Sequence, residues 1–286
     1  MGERQCPAVR VLETVLLFRV IPIFKVDGCP NYDYDVENRN DPNAVSIYAV
    51  DIFRYHVSRE KNFHIGDYLK RQKGLKRSSR AVLVDWLVDM QQNLELTHET
   101  LYLSVKLMDV YFDRVPNVTN HHMQLIAASA LFIASKFEER WIPLIDDLIY
   151  SCEKVFTRNH LVRMEQKMLR AIRFDIGCPL SYSFLRRYGK VCKYDMRLLT
   201  LARYILETSL LFYEFVPVSD SLMAAASLLL AVRIAKLGDW NTVLVKYSGY
   251  RVEDVEPLMW SLNHMMLLRP RIYVAMTAVY RKYSDP

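Results

Sequence analysis

The chain has 286 residues, of which 51% are hydrophobic and 24% charged; at about 100 to 150 residues per domain, two domains are the default reading. Its 38 Lys and Arg exceed its 32 Asp and Glu to give a net charge of +6, which favours acidic partners but does not make a nucleic-acid binder. Only 8 glycines and almost no Asn-Gly or Asp-Gly pairs argue against sheets. The five cysteines (Cys6, Cys29, Cys152, Cys178, Cys192) are scattered and never spaced Cys-x-x-Cys, so neither a disulfide framework nor a zinc site is indicated, and a reducing compartment, nucleus or cytoplasm, fits best.

Val11 to Phe24 is apolar but broken by Glu13, Arg19 and Pro22, and it is shorter than the about 20 residues a membrane span needs. Met1-Gly2 is followed by Cys6 where a myristoylation signal wants Ser or Thr, so residues 1–26 receive no role. Residues 31–42 (NYDYDVENRNDP) read as a loop ending in an Asp-Pro helix start. A helix is predicted over residues 43–63, with Val45, Tyr48, Ile52, Tyr55 and the stem of Arg59 on one stripe that needs a partner surface. A basic connector, residues 61–80, follows.

From Ser79 the pattern is helical, with breaks at Pro116, at Trp141-Ile142-Pro143 and at Gly177-Cys178-Pro179, leaving room for five helices before Pro179. After Pro179 the pattern resumes. AASALFIASK, starting at Ala127, returns as AAASLLLAVR, starting at Ala224, 97 positions on, so the five-helix unit is duplicated. Ala127, Ala130 and Ala134, like Ala224, Ser227 and Ala231, form a small-residue face that lets helices approach closely. With Leu131, Ile133, Leu228 and Leu230 on other sides, both copies are predicted to be central, buried helices. The fold class is all-α.

No glycine-rich phosphate loop and no His-Arg-Asp or Asp-Phe-Gly kinase motif occurs, so the chain is not expected to be an enzyme, and no cofactor or metal is expected. Adjacent Asp146 and Asp147 read as a solvated helix start. His121-His122 lacks a third ligand nearby.

SRAVLVDWLVDM (Ser79 to Met90), SKFEE (Ser135 to Glu139) and RMEQKML (Arg163 to Leu169) resemble the three signature segments of the cyclin box, in family order and spacing. DPNAVSIYAVDIF before them, and KFEERWIPLIDDLIY and CPLSYSFLRRYG, resemble the B-type mitotic cyclins of the type-three subgroup, a likeness covering roughly residues 31–275. It implies two tandem five-helix cyclin boxes with flanking helices. Residues 1–30 would be unassigned, 31–64 the N-terminal helix region, 65–176 the first box, and 177–286 the second box with a C-terminal helix. In the family a long N-terminal region carries a destruction signal; here about 30 residues precede the matched part, and Arg80-x-x-Leu83 lies inside a core helix. A general transcription factor core also uses two such boxes, but behind a zinc ribbon that needs a Cys-x-x-Cys pair.

The first segment has Leu83, Leu87, Met90 and Leu94 on its inward face and Ser79, Val82, Trp86 and Asp89 on the other. Trp and Val beside an acid make a shallow apolar groove with a negative rim. The resemblance implies a docking patch for Arg-x-Leu substrates or inhibitors built from Ser79, Val82, Leu83, Trp86, Asp89 and Gln124. Ser79 stands where the family often has Met, making the pocket shallower. The resemblance also implies that Lys136 and Glu165 meet the backbone of a cyclin-dependent kinase, ringed by Ile133, Phe137, Phe174 and Ile176 and extended by Tyr48, Ile52 and Tyr55. Read without it, Lys136 and Glu165 would be a surface salt bridge. In the second repeat Arg233 replaces Lys136 and Leu262 replaces Glu165, so only the first box is expected to hold the kinase.

Overall fold

The computed structural model describes residues 32–284; the readings made above for residues 1–26, Cys6 among them, and for Cys29 lie outside the described residues. Among the described residues there are thirteen α-helices and no strand. They are α1 (Tyr34–Glu37), α2 (Ser46–Glu60), α3 (Arg77–Asn93), α4 (His98–Arg114), α5 (Met123–Glu138), α6 (Ile145–Ser151), α7 (Arg158–Ala171), α8 (Ser181–Val191), α9 (Met196–Ser209), α10 (Asp220–Ile234), α11 (Thr242–Ser248), α12 (Val252–Ile272) and α13 (Ala278–Ser284).

Proline and the extended residues before it stop α4 before Pro116, α5 ends before Pro143, and Pro179 lies in the stretch between α7 and α8. Starts are capped by short polar side chains, Thr97 accepting from the Thr100 N–H, Thr157 from His160, and Asn241 from Leu244. The helix expected from residue 43 begins three residues later. Asp41 accepts instead from the Asn43 N–H in a turn, and Val45 takes a left-handed conformation before α2 starts at Ser46.

Glycine being scarce, helix ends rely on other residues. Glu95, Arg173, Lys193 and Lys236 all adopt positive φ just past a helix, a conformation that disfavours a side chain by about 1 to 2 kcal/mol. After α7 the Phe174 N–H donates to Leu169 O and the Arg173 N–H to Arg170 O, the paired bonds that close off a helix end.

The chain condenses into two compact units that do not follow the sequence repeats throughout. Among the described residues, one is made of 32–62, Ser181–Leu206 and Val218–Ile272, and the other of Phe63–Leu180, Glu207–Pro217 and 273–284. The main break, between Leu180 and Ser181, lies close to the boundary expected at residue 176, while Glu207–Pro217 and the C-terminal helix α13 belong with the first-repeat helices.

In the unit that holds the first repeat, α5 is the central helix, packed on α4, α7 and α3, with Ala127, Ala130 and Ala134 fully buried. A buried ion pair fixes α3 to α4: Arg80 donates through Nε and Nη2 to both oxygens of Asp109, at 2.8 and 2.7 Å. The remaining valences are filled within the unit, Arg80 Nη1 by Leu210 O at 2.7 Å and Asp109 by the Tyr68 hydroxyl at 2.7 Å. Arg80 therefore belongs to the core. Tyr68 stands edge-on to Tyr213, and the Tyr213 hydroxyl accepts from the Leu69 N–H, which ties the 207–217 segment in place.

In the other unit α10 is the buried central helix, packed on α8 and α12, with Ala224, Ser227 and Ala231 inaccessible. Helix α2 joins this unit through Ala49, Phe53, His56 and Glu60: both rings lie against Phe184, and Glu60 accepts from the Ser221 N–H and hydroxyl. The expected stripe of Tyr48, Ile52 and Tyr55 stays exposed. Leu94, expected inward, caps α3 half-buried, while Gln91 is buried in its stead and donates to Leu96 O.

Candidate functional site

Lys136 lies in the last turn of α5, where the helix dipole favours a cation, and Glu165 lies mid-way along α7, which packs on α5. The two side chains form an ion pair, and Lys136 Nζ also sits 4.3 Å from the centre of the Phe132 ring. The lysine is 36% accessible and the glutamate 14%, so the pair is open to solvent on one side. A lysine has three donors, and one carboxylate cannot use them all.

The apolar residues expected around this pair divide. Phe137 is 54% and Phe174 68% exposed, two large rings held out in water, and Ile176 is half-buried. Ile133 is only 2% accessible: it faces the core and supports the surface from beneath instead of lining it. Phe174 is itself at φ 57°, following Arg173 at φ 56°. Both belong to the turn whose bonds to Arg170 O and Leu169 O close α7, and that turn sets the Phe174 ring out in water. Trp141, 84% exposed, with Leu144, Tyr150 and Val155 adds further uncovered apolar surface along α6 and its flanks, which the sequence reading did not single out. The signal was present as large apolar residues in a short Pro-broken segment, where helical periodicity gives no facing.

In the second repeat the equivalent positions are closed. Leu262 is fully buried, and Arg233 is engaged by Asp239 and by Glu256, the latter at 2.6 Å. The surface has no counterpart there. Among the described residues, no group of three or more His, Cys, Asp or Glu is placed to hold a metal ion. Asp146 pairs loosely with Arg158 at 3.6 Å, and His122 meets Thr119.

The second candidate surface is the outer face of α3. Val82 is 54% exposed, Ser79, Trp86, Asp89 and Gln124 are half-buried, and Leu83 forms the floor at 8%. Gln124 comes from the first turn of α5, which packs on α3. The acidic rim is not bare: Asp89 accepts from Arg281 Nη2 of α13 at 2.7 Å, and Asp85, one turn earlier, accepts from the Ala278 N–H at 2.9 Å.

Two family models cover this architecture, the cyclin N-terminal domain over residues 51–177 and the cyclin C-terminal domain over residues 179–286. The chain belongs to the cyclin family. Its similar relatives are of the mitotic B3 group: G2/mitotic-specific cyclin-B3 of Caenorhabditis elegans is 44% identical over 262 residues, covering 91% of this cyclin and 68% of the relative. That of Gallus gallus is 44% identical over 252 residues, covering 88% and 62%, and that of Homo sapiens 42% identical over 257 residues, covering 90% and 18%. The cyclin thus spans about two thirds of the worm protein's length and less of the other two. A viral cyclin from herpesvirus saimiri shares the fold with a TM-score of 0.64 at 20% identity, over 75% of this cyclin and 97% of the viral chain. A chain of the yeast RNA Pol II CTD kinase CTDK-1 complex gives 0.58 at 17% identity, over 81% and 82%.

Proposed function

We propose that this cyclin is the non-catalytic regulatory subunit of a cyclin-dependent serine/threonine kinase, acting in mitosis, in nucleus and cytoplasm, and recruiting Arg-x-Leu substrates through the α3 face. The observation that carries the reading is the Lys136–Glu165 pair at the end of the buried central helix, together with exposed aromatic rings at Phe137, next to Lys136 in the chain, and at Phe174, just past α7. Donors and acceptors at the centre of an apolar field are what a partner helix end needs: the charges bond its terminal carbonyls and amides while the rings exclude water. The exposed stripe Tyr48, Ile52 and Tyr55 of α2 supplies a second apolar contact.

Activation then follows from selective binding. A protein kinase transfers phosphate only with its Lys–Glu ion pair and activation segment in place. A partner that binds only that arrangement raises its population by the difference in affinity between the active and inactive forms. The rigid support behind the surface, α5 packed on α3, α4 and α7, makes that difference large, because the cyclin does not adapt to the inactive form.

The test is phosphorylation of a histone peptide by a purified cyclin-dependent kinase with and without the full chain. Stimulation by orders of magnitude is expected, with no ATP turnover by the chain alone. Turnover by the isolated chain, or no stimulation of any mitotic kinase, would overturn the reading.

A further inference from the structure

The docking face of α3 is bordered by a piece of the same unit that already offers it a guanidinium. Helix α13 runs along the edge of α3 marked by Asp85 and Asp89, one helical turn apart. Asp85 Oδ1 accepts from the backbone N–H of Ala278, and Asp89 Oδ1 accepts from Arg281 Nη2 at 2.7 Å. The helix is anchored elsewhere, since Lys282 Nζ and the Tyr283 hydroxyl bond the two oxygens of the fully buried Glu207, at 2.6 and 2.9 Å. Arg281 takes no part in that anchor, and its side chain is 62% exposed against 36% for Asp89.

We propose that Arg281 is a built-in competitor at the docking patch: it fills the acidic rim at Asp89 that a ligand's arginine would use, and so determines which ligands dock. The proposal rests on the docking reading of α3 and adds the residue that sets its selectivity. Arginine competes with arginine on equal chemical terms, the same fork meeting the same carboxylate, so an incoming basic ligand gains at Asp89 only what Arg281 gives up. The exchange is open because the pair is solvent-exposed and weak and the helix stays seated on Glu207 when Arg281 lets go. Selection among ligands therefore shifts from the arginine to the apolar residue over Val82 and Trp86.

The experiment is fluorescence anisotropy of two labelled peptides, one bearing Arg-x-Leu and one Ala-x-Leu, on the full chain and on Arg281→Gln, Asp89→Asn, the double variant and Trp86→Ala. Arg281→Gln is expected to tighten the Arg-x-Leu peptide about two- to five-fold, the range a rim ion pair spans, and to leave the Ala-x-Leu peptide within about two-fold. That gain should vanish when Asp89 is also Asn. An unchanged Arg-x-Leu affinity in Arg281→Gln, in a protein whose Trp86→Ala variant loses peptide binding, overturns the competitor while leaving the docking surface intact. An equal gain with Asp89 replaced by Asn overturns it too, since the effect would then be the general field of one charge fewer. Peptide binding untouched by Trp86→Ala overturns the docking reading itself.

Discussion

Lys136 and Glu165 hold one another, yet each keeps hydrogen-bonding capacity unspent, and a half-open ion pair of this kind contributes only about 0 to 1 kcal/mol to the fold. Replacing either by Ala should therefore leave the melting temperature within a degree or two. Kinase affinity is a different matter, because the missing side chain would leave a partner's backbone group buried without a hydrogen bond, a loss of about 1 to 3 kcal/mol or roughly ten- to a hundred-fold. The double variant should weaken binding by less than the product of the single effects, since each single already disturbs the other residue. Calorimetric affinity alongside thermal melts checks both; a fall in melting with unchanged affinity per folded molecule would make the pair structural. The sequence made these two residues visible only through their likeness to a family, the bare spacing saying no more than salt bridge, and the structure shows that pairing to be real. Ile133, on a helix read as buried by its neighbours, is indeed buried; its place in the ring around the pair came from the family likeness alone. Arg281 carried no signal, since its meaning comes from Asp89, far away along the chain.

Helices were legible where their cues are local: α4 stops just before Pro116, and Thr97, Thr157 and Asn241 cap the starts of α4, α7 and α11. Their C-terminal ends were less so, since charged residues take the left-handed positions that glycine would have marked. Helix α2 shows how the same pattern can be read twice. Its inner side is Ala49, Phe53, His56 and Glu60, packed on Phe184 and Ser221, and the larger apolar residues Tyr48, Ile52 and Tyr55 face out. Substituting Tyr48 and Ile52 together by Ala should leave unfolding by denaturant nearly unchanged, within about 0.5 kcal/mol as for other exposed positions, while lowering kinase affinity. Phe53→Ala should do the reverse, weakening the fold by about 2 kcal/mol or more through the lost ring contacts. Equal destabilisation by both variants would show that the outer stripe is packed within the chain.

At the scale of the whole chain, the repeat was legible because it is written in periodicity, whereas the return of residues 207–217 and of α13 to the first-repeat helices was not, because it rests on contacts between residues far apart in the chain. Glu207 is the clearest case. It is fully buried at the end of α9, and it receives Lys282 at 2.6 Å and the Tyr283 hydroxyl at 2.9 Å from α13, with His98 Nδ1 at 3.4 Å. Burial opposes its charge, but the hydrogen bond from His98 and the bond and charge of Lys282 prevail and hold its carboxyl below the usual range. With the folded value depressed, the contribution of this group to stability is present above the ordinary carboxylate pKa near 4.5 and is lost as pH falls through the folded value. Lys282→Met removes the largest counter-charge, so burial then dominates and the Glu207 carboxyl moves up. Stranding a buried charge in this way should cost about 3 to 5 kcal/mol near neutral pH. The loss should shrink at mildly acidic pH, where the Glu207 carboxyl, no longer held down by that charge, takes up a proton. Removing both charges, Lys282→Met with Glu207→Leu, should recover most of the stability, as apolar replacements of buried pairs tend to do. Urea unfolding of the three proteins at both pH values decides it: a deficit in Lys282→Met that does not lessen on acidification, or a double variant no better than the single, would show that α13 is held by its apolar contacts and not by the Glu207 charge.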